Sequence, residues 1–372
     1  MLGKKKNILK KILYFILIVG ILILGLSISN ANAKYVIATS YEYSTDVFCD
    51  LITISEYKGC TFKGNIFNKN KNDGRNSELL LLMDCPENFD YEKIFEILNE
   101  LDIKYFFYIG GNDSMDTIKK LSDYAIVTGS DIKFMGVPKT IDNDLAVTDH
   151  TPGFGSAAKF IAATMKEIIR DGLVYDYPTV TIVEIMGRNA GWLTAAAALA
   201  KSDDCEGVDL IYLPEKVFDI DHFMARVKEI AAKGRSMVIA VSEGIKVADG
   251  RYVFELSEHV EFVDAFGHKQ LAGSAKFLAN KIGAELGIKT RAIELSTLQR
   301  CAAHMTSRTD ITEAYNVGGA AVKAAFEGET GKVVVLKRVS DDPYMCITET
   351  HDVHDIANVE KKIPLEWCSP DC

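Results

Sequence analysis

The stretch YFFYIGGNDSMDT, Tyr105–Thr117, combines a strand, a glycine turn and the start of a helix. Tyr105–Ile109 is an apolar and aromatic run of strand length, Gly110–Gly111 permits a tight turn, and Ser114–Ser122 follows with a helical pattern. The same order of strand and helix returns along the chain, so we predict an α/β fold with mostly parallel sheets covered by helices. In such sheets the functional residues gather at the carboxyl ends of the strands.

The alternation of strands and helices extends along most of the chain. Two short apolar strands are predicted before it, Tyr35–Thr39 and Leu79–Met83. The predicted helices are Tyr91–Leu101, Ser114–Ser122, Ser156–Arg170, Trp192–Ala200 and His222–Ala232. The predicted strands between and after them are Tyr105–Ile109, Phe134–Val137, Val180–Ile185, Leu210–Leu213 and Met237–Val241.

The composition is that of a folded protein with two lobes. A length of 372 residues exceeds the usual size of one domain, and 48% apolar with 25% charged residues is ordinary for a chain with substantial cores. The net charge of −10 argues against a nucleic-acid-binding protein, but it is compatible with an anionic substrate, because phosphate sites are local clusters. The eight cysteines show neither metal-ligand spacing nor a disulfide framework, so free thiols in a reducing compartment are expected.

The first 33 residues indicate a cellular location other than a reducing compartment. Lysines precede an apolar run over residues 12–29, and Ala31–Ala33 follows, which is the pattern of a signal peptide or a membrane anchor. The run is slightly shorter than a comfortable transmembrane helix, which favours the signal peptide, with membrane contact through residues 12–29 or a buried core helix as alternatives. The segment predicts an exported or membrane-anchored protein, in conflict with the cysteine usage.

A second predicted strand is followed by a cation, a hydroxyl and two carboxylates. The stretch GVPKTIDNDL, Gly136–Leu145, contains Lys139, Thr140, Asp142 and Asp144. Carboxylates two residues apart in an extended turn project to the same side, where one can accept a hydroxyl proton and the other can orient substrate or metal. A surface turn stabilised by its Asp and Asn side chains explains the same residues equally well. The glycine turn likewise predicts either a phosphate-binding turn or only a tight connection.

Six motifs together resemble the phosphofructokinase family. They are GGNDSMDT (110–117), GVPKTIDNDL (136–145), TPGFGSAAKF (151–160), EIMGRNAGW (184–192), VSEGI (241–245) and LQRCAAH (298–304). Their order and approximate spacing match the family from about residue 90 to residue 338. The resemblance implies a two-lobed, mostly parallel α/β fold.

The resemblance also implies a division of the chain. A donor-phosphate lobe is expected at 90–154, completed by about 299–345, and a sugar-phosphate lobe at 155–298. The signal-like segment 1–33 and a divergent region at 34–89 precede them, and a C-terminal segment at 346–372 follows. Family members open with a strand and a glycine-rich loop, and this sequence has no such loop before Asp90, so that element is expected to be missing or replaced.

The activity implied is that of a glycolytic 6-phosphofructokinase. Such an enzyme transfers a phosphoryl group to the 1-hydroxyl of fructose 6-phosphate, with Mg²⁺ as its metal, and gives fructose 1,6-bisphosphate. This chemistry implies the cytoplasm, whereas residues 1–33 imply export. A homo-oligomer is also implied, because in the family the arginine near Arg291 is supplied across a subunit boundary.

The resemblance assigns roles to individual residues. Asp142 resembles the general base and Asp144 its carboxylate neighbour, with Thr140 and Lys139 beside the transferring group. Arg188 is suited to bidentate contact with phosphate oxygens. The other implied contacts are Met186, Gly187, Glu243, Arg291 and Arg300 for the sugar phosphate, Gly110, Gly111, Asp113 and Ser114 for the donor, and Asn112 with Asp144 for the metal.

Two positions favour pyrophosphate over ATP as the donor. ATP-using relatives have glycine where Asp113 stands, and a carboxylate there would crowd and repel the α-phosphate of a nucleotide. They commonly have glycine where Lys139 stands, whereas pyrophosphate-using relatives resemble this sequence in having lysine. An ammonium can neutralise a short, highly charged donor. ATP remains the alternative donor.

The departures from the family leave a second hypothesis open. Only Arg75 is a remote candidate for the arginine that grips the donor before the glycine turn, and Asn112 replaces a carboxylate that many relatives use near the metal. Thr297 stands where several relatives have His or Tyr near the 6-phosphate. The chain is therefore either an active enzyme or a catalytically impaired paralogue that binds sugar phosphate or pairs with an intact subunit.

Overall fold

The computed structural model describes residues 91–174, 177–257 and 273–369, together with the backbone of three strands at 35–40, 61–62 and 78–84. The signal-like segment 1–33, Arg75 and the expected site of the opening glycine loop lie outside the described residues. No helix among those described is both long enough and apolar enough to cross a membrane. The chain divides into two compact units, residues 1–109 with 261–270, and residues 110–260 with 271–372.

The first unit contains an antiparallel sheet, a helix and a further strand. Strand β1 (Tyr35–Ser40) pairs antiparallel with β3 (Glu78–Asp84), and β2 (Thr61–Phe62) pairs with the other edge of β3. Helix α1 (Tyr91–Glu100) and strand β4 (Tyr105–Gly110) follow. The predicted strands at 35–39 and 79–83 are confirmed, but their antiparallel pairing departs from the parallel pattern of the rest.

One sheet of the second unit is formed by residues far apart in the sequence. Strand β10 (Lys332–Asp341) lies parallel to β5 (Lys133–Pro138) and antiparallel to β11 (Tyr344–Asp352), in the order β11-β10-β5. Helices α2 (Asn112–Thr128) and α8 (Arg308–Phe326) both pack against β5. Strand β5 is therefore held in the interior, and the loop that follows it starts from a fixed point.

The other sheet of the second unit is entirely parallel. Its order is β7 (Leu210–Tyr212), β8 (Met237–Ser242), β6 (Thr179–Ile185) and β9 (Lys289–Glu294). Every residue of β6 and β8 is buried, because the side chains of alternate residues enter two separate apolar clusters. This arrangement confirms the prediction of parallel strands covered by helices.

The helices around this sheet are α3 (Phe154–Gly172), α4 (Trp192–Ala195), α5 (Ile220–Ala231) and α6 (Ser274–Leu286). Helix α3 packs in the cluster that contains Val183 and Ile185, whereas α5 and α6 pack in the cluster that contains Val180 and Ile182. A short helix α7 (Leu298–Cys301) follows β9. The predicted helix over 192–200 is wrong in its second half, since residues 196–200, four alanines and Leu199, form a 3₁₀-helix.

The predicted division into a donor-phosphate lobe and a sugar-phosphate lobe stays a prediction. What the described residues establish is that the loops after β5, β6 and β8 all belong to the second unit, as do α7 and the C-terminal segment. These loops leave the carboxyl ends of their strands, where functional residues gather in α/β proteins. The candidate site is therefore described within this unit alone.

Candidate active site

The turn after β5 is held rigidly by its own polar groups. The Thr140 hydroxyl oxygen accepts a hydrogen bond from the backbone N–H of Asp142 (3.1 Å), and the Thr140 carbonyl accepts one from the Thr151 hydroxyl (2.7 Å). The backbone N–H of Thr151 donates to Oδ1 of the buried Asn143 (3.1 Å), which has a positive φ of 55°. Asn tolerates this left-handed conformation better than most residues. The turn thus presents Asp142 and Asp144 on either side of a fixed, buried Asn143.

Asp142 lies among three cations that come from three different parts of the chain. Lys139, Arg188 and Arg300 each interact electrostatically with its carboxylate and favour its charged form. Burial opposes them and is the largest effect, so the pKa of Asp142 is raised above its ordinary value. In return, burial lowers the pKa of Lys139, which Arg300 lowers further and Asp142 raises. The structure therefore brings together the predicted base and three of the predicted phosphate-binding cations.

Asp144 and Asn112 form a second polar pair beside Asp142. The Asn112 amide donates to Oδ2 of Asp144 (3.3 Å), while burial, followed by the negative charge of Asp142, raises the pKa of Asp144 to about 6. Oδ1 of Asn112 and Oδ1 of Asp144 are both buried and have no hydrogen-bond partner within the described parts of the chain. Buried oxygens are normally satisfied, and hard divalent cations bind oxygen ligands. The two unsatisfied oxygens fit a Mg²⁺ site that the substrate phosphates would complete.

The predicted donor residues surround the N-terminus of α2. The Gly110 carbonyl accepts a hydrogen bond from the backbone N–H of Lys139 (3.0 Å), which fixes the glycine turn beside the turn after β5. A side chain at Gly110 would collide with the Ser114 hydroxyl, since an added Cβ would lie 2.0 Å from it. No side chain caps α2 at Gly111, and Asp113 is exposed in its first turn. The helix end therefore offers backbone N–H groups close to Lys139.

The loop after β6 is interlocked with the loop after β8. Gly187 has a φ of 135°, its carbonyl accepts a hydrogen bond from the Ser242 hydroxyl (2.6 Å), and its N–H donates to Oε1 of Glu243 (3.3 Å). Gly244 lies so close that an added Cβ would be 1.9 Å from the Arg188 carbonyl oxygen. Nε of Arg188 is buried and has no hydrogen-bond partner among the described residues. The glycines thus fix the backbone of Arg188 while leaving a donor of its side chain for a ligand.

Helix α7 is tied to the same loop. Oε1 of the buried Gln299 accepts a hydrogen bond from the backbone N–H of Met186 (3.0 Å), and the next residue, Arg300, is exposed. Arg300 thereby reaches the surroundings of Lys139 and Asp142. Sequence reasoning did not assign a role to Gln299, although it lies within the LQRCAAH motif.

Arg291 lies apart from this cluster. It stands opposite Thr181 in the β6–β9 pairing, three residues before the end of β9, and donates to Asp171 at the end of α3 (3.1 Å). It is not among the groups that act on Asp142 within the described chain. Its predicted contribution to the sugar-phosphate site of a second subunit stays a prediction.

The buried Glu184 and the half-buried Glu243 lie near this loop. Burial is the main reason that the pKa of Glu243 is raised to about 8 and that of Glu184 to about 7. Glu184 accepts hydrogen bonds from the backbone of Gly273 (3.3 Å) and Ala275 (2.8 Å) at the start of α6, and it has no role among the sequence predictions. Asp142 and Glu184 raise the pKa of Glu243 further, whereas the Gly187 N–H and Arg188 lower it. Glu243 is therefore a neutral acid at pH 7.

We expect Glu243 to make the ligand-free protein less stable as the pH rises. The folded protein keeps the Glu243 proton up to about pH 8, whereas the unfolded chain releases it near the ordinary carboxyl pKa. The stability that the protonated form contributes is fully present below the unfolded pKa and is lost as the pH rises through the folded pKa. The expected loss in unfolding free energy between pH 5 and pH 8 is on the order of 3 kcal/mol. Urea unfolding measured across this range checks the loss.

The matched variants for this measurement are Glu243→Gln and Glu206→Gln. Glu243→Gln removes the titration of this one carboxyl and should make the dependence shallower by its contribution, while the raised pKa values of Asp144 and Glu184 sustain the rest. Glu206→Gln changes an exposed residue and should leave the dependence as in the wild type. An unchanged slope in Glu243→Gln would show that this carboxyl ionises normally in the folded protein.

Comparisons with known proteins identify the family of this chain. The family model for phosphofructokinase matches residues 51–325. The chain belongs to the phosphofructokinase family. The resemblance inferred from the six motifs is thereby confirmed, and a phosphofructokinase fold accounts for the parallel sheets and for the strand ends at which the candidate residues lie.

Similar phosphofructokinases include proteins described as pyrophosphate–fructose 6-phosphate 1-phosphotransferases. The one from Xanthomonas campestris pv. campestris (strain B100) is 44% identical over 283 residues, which cover 76% of this chain and 67% of the relative. The one from Halomonas elongata is 41% identical over the same shares of the two chains. The crystal structure of a pyrophosphate-dependent phosphofructokinase from Nitrosospira multiformis is 36% identical, with a TM-score of 0.66, and covers 76% of this chain and 66% of that one. The chain spans about two thirds of the length of these phosphofructokinases.

Proposed function

We propose that the protein transfers a phosphoryl group from pyrophosphate to the 1-hydroxyl of fructose 6-phosphate. The single observation that carries the proposal is the convergence of Lys139, Arg188 and Arg300 on the half-buried Asp142. A carboxylate among three cations is the arrangement needed to deprotonate a hydroxyl while anionic phosphates are held around it. The names of the relatives from Xanthomonas and Halomonas support the same reaction.

In the proposed reaction Asp142 is the general base. Its carboxylate accepts the proton of the sugar 1-hydroxyl as that oxygen forms a bond to the terminal phosphorus of pyrophosphate. The bond between this phosphorus and the bridging oxygen breaks, and inorganic phosphate leaves. The three neighbouring cations keep enough of Asp142 ionised for this step, because each favours the carboxylate against the effect of burial.

The cations of the site would neutralise the phosphoryl group as it moves. Lys139 follows directly on β5 and lies next to the glycine turn, so its ammonium is placed at the donor side. Arg188 has a buried, unpartnered Nε and a backbone fixed by Gly244, and can therefore offer two N–H groups to phosphate oxygens. Phosphoryl transfer depends mainly on such positioning and charge neutralisation.

Asn112 and Asp144 would hold Mg²⁺ through their unpartnered oxygens. When bound, the ion supplies charge neutralisation at the donor oxygens. The described residues offer these two oxygens, one of them an amide oxygen, so further ligands would come from substrate phosphate and water. Mg²⁺ is accordingly expected to bind far more tightly with pyrophosphate present than without it.

The sugar phosphate would contact groups on the loops after β6 and β8 and on α7. Glu243, as a neutral acid, can both donate and accept hydrogen bonds with sugar hydroxyls. Met186 and Gly187 would contact the sugar from the loop after β6, where the Gly187 N–H donates to Glu243. Arg300 is exposed and free to bind the 6-phosphate, and Arg291 would reach the site of a second subunit in a homo-oligomer.

The donor assignment rests on Asp113 and Lys139. Asp113 is exposed in the first turn of α2, where its negative charge would repel the longer phosphate chain of a nucleotide. The Thr140 hydroxyl is positioned by Asp142, because its oxygen accepts from the backbone N–H of Asp142 and it also hydrogen-bonds with the Asp142 side chain.

The proposal is tested by assaying the purified full chain with fructose 6-phosphate, Mg²⁺ and either pyrophosphate or ATP. Fructose 1,6-bisphosphate should form with pyrophosphate, and the rate with ATP should be at least about 100-fold lower, as for a donor that meets a repulsive charge at close range. Equal or faster turnover with ATP would overturn the donor assignment. Calorimetric binding of fructose 6-phosphate without turnover on either donor would instead favour the impaired paralogue.

A further inference from the structure

The chain after β11 returns to the candidate site. Residues 353–355 form a 3₁₀ turn, Ile356 and Ala357 are buried, and the next residues run without regular structure to the buried Ile363. Buried apolar anchors therefore hold the segment at both ends. Between these anchors, Asn358, Glu360 and Lys361 contact three elements of the site.

The first contact is with the turn that bears the two aspartates. The backbone N–H of Lys361 donates to the carbonyl of Asp144 (2.7 Å), and Glu360 forms an isolated antiparallel bridge with Leu145. The Lys361 ammonium then donates to three oxygens: Oδ1 of Asn143 (3.2 Å) and the backbone carbonyls of Thr148 (3.0 Å) and Asp149 (2.9 Å). An ammonium has three donors, so all of them are used on this turn and its continuation.

The second contact is with the loop after β6. Nε1 of Trp192 donates to the Lys361 carbonyl (2.7 Å), and the Asn189 amide donates to Oε1 of Glu360 (2.6 Å). Oε1 of Glu215 accepts from the backbone N–H groups of both Gly191 (2.8 Å) and Ile363 (3.1 Å). The segment is thus bonded to the backbone that follows Arg188, at Asn189 and Trp192, and shares the Glu215 carboxylate with Gly191.

The third contact is with helix α2. The Asn358 amide donates to Oδ1 of Asp116 (2.8 Å), four residues after Asn112. One short segment therefore binds the elements that carry the candidate metal pair, the candidate base and the candidate phosphate-binding arginine. These elements come from different parts of the sequence, so the covalent chain alone does not fix their relative positions.

We propose that four residues of this segment, Asn358, Glu360, Lys361 and Ile363, form a clasp on the active site. Lys361 is its positioning residue, which fixes Asp142 and Asp144 relative to Arg188. The inference rests on the proposed function for its catalytic consequence. The Lys361 ammonium donates to Asn143, Thr148 and Asp149 and not to the carboxylate of Asp142 or Asp144. It acts through Asn143, whose side chain it shares with Thr151, and through the carbonyl of Asp144.

The clasp explains why a lysine is used at this position. The Lys361 ammonium lies over the Trp192 ring, 5.6 Å from its centroid, and donates to three converging oxygens. Methionine would keep a chain of similar length but remove the donor from the Thr148 and Asp149 carbonyls and leave Asn143 Oδ1 with the Thr151 N–H alone, and such a loss of hydrogen bonds favours rearrangement of the turn. Arginine would keep a cation and several donors in a different geometry.

The kinetic test compares Lys361→Met, Lys361→Arg and Lys362→Met in the full chain. Lys362 is the matched control, because it is the next residue but is exposed and has only a long contact to Glu360 (3.7 Å). We expect kcat of Lys361→Met to fall about 100-fold, as for misplacement of catalytic groups by about 1 Å, while the KM for fructose 6-phosphate changes less than about 3-fold. Lys361→Arg should recover part of kcat, and Lys362→Met should match the wild type.

Two outcomes would overturn the positioning role. Wild-type kcat in Lys361→Met is one, and an equal loss in Lys361→Met and Lys361→Arg accompanied by a broad, uncooperative melt is the other, since it indicates a general folding defect. Asn189→Ala provides a second variant, because Asn189 is exposed and its loss removes only one bond of the clasp. It should lower kcat by about 3- to 10-fold without changing the melting behaviour.

Hydrogen exchange separates failure of the clasp from failure of the proposed function. Lys361→Met should speed amide exchange in peptides that cover residues 139–151, while peptides from β8 and α5 exchange as in the wild type. This readout needs no turnover. An inactive wild-type protein would overturn the proposed function alone, whereas unchanged exchange at 139–151 would overturn the clasp even in an active enzyme.

Discussion

Replacement of Asp142 by Asn should lower kcat about 1000-fold with fructose 6-phosphate and pyrophosphate, within the range found when a general base is lost. The amide has the same shape as the carboxylate, and the turn is held by backbone bonds to Thr140 and by Asn143, so its geometry should survive the change. The amide cannot accept the proton of the sugar hydroxyl. Steady-state kinetics with both substrates varied would measure the loss.

The form of the loss matters as much as its size. A missing base lowers kcat and kcat/KM together, so the KM for fructose 6-phosphate should change little. Asp131→Asn is the matched control, because Asp131 is exposed on the connection before β5 and its change should leave kcat at the wild-type value. If Asp142→Asn retained more than a tenth of the wild-type kcat, another group would have to accept the proton.

Lys139→Met should impair the use of pyrophosphate by about 100- to 1000-fold in kcat/KM, the range seen when one group that stabilises the transition-state charge is removed. Burial already lowers the pKa of Lys139, which shows that its ammonium is poorly hydrated and would gain from an anionic partner. The loss should fall on the KM for pyrophosphate and on kcat, with less change in the KM for fructose 6-phosphate.

Lys139→Arg and Lys201→Met complete this test. Arginine keeps the charge and should recover part of the activity, whereas Lys201 is exposed and its change should have no effect. Calorimetry should show that pyrophosphate with Mg²⁺ binds most tightly to Lys201→Met, less tightly to Lys139→Arg and least tightly to Lys139→Met. Unaltered pyrophosphate affinity in Lys139→Met would remove Lys139 from the donor site and, with it, one of the two reasons to prefer pyrophosphate over ATP.

The candidate site could be predicted from the sequence to the extent that its residues lie within short motifs. Asp142, Asp144 and Lys139 occupy one turn, and a resemblance spread over six motifs assigned Arg188 and Arg300 to the same reaction. Their convergence on one carboxylate agrees with that assignment. Arg291 belongs to the same resemblance, but it pairs with Asp171 and lies outside the cluster, because its strand position sets it back from the carboxyl ends.

Other contributors could not be found in this way. Lys361 acts on Asn143 from 218 residues away, and Gln299 reaches Met186 from 113 residues away. Neither contact follows from local periodicity or from the chemistry of a neighbouring residue. The antiparallel β10–β11 pair was likewise not predicted, since a strand at a sheet edge has a mixed pattern of apolar and polar residues.

The sequence by itself determined the parallel α/β fold, the family, and the residue types at the ends of β5 and β6. Strand periodicity, runs of Val and Ile and glycine turns are local properties of the sequence, so they can be recognised without knowing the tertiary contacts. Only the tertiary structure decided which charges meet, which oxygens of Asn112 and Asp144 are left unsatisfied, and which distant segment holds the turn. These features depend on burial and on contacts between elements far apart in the chain, and a sequence pattern does not specify either of them.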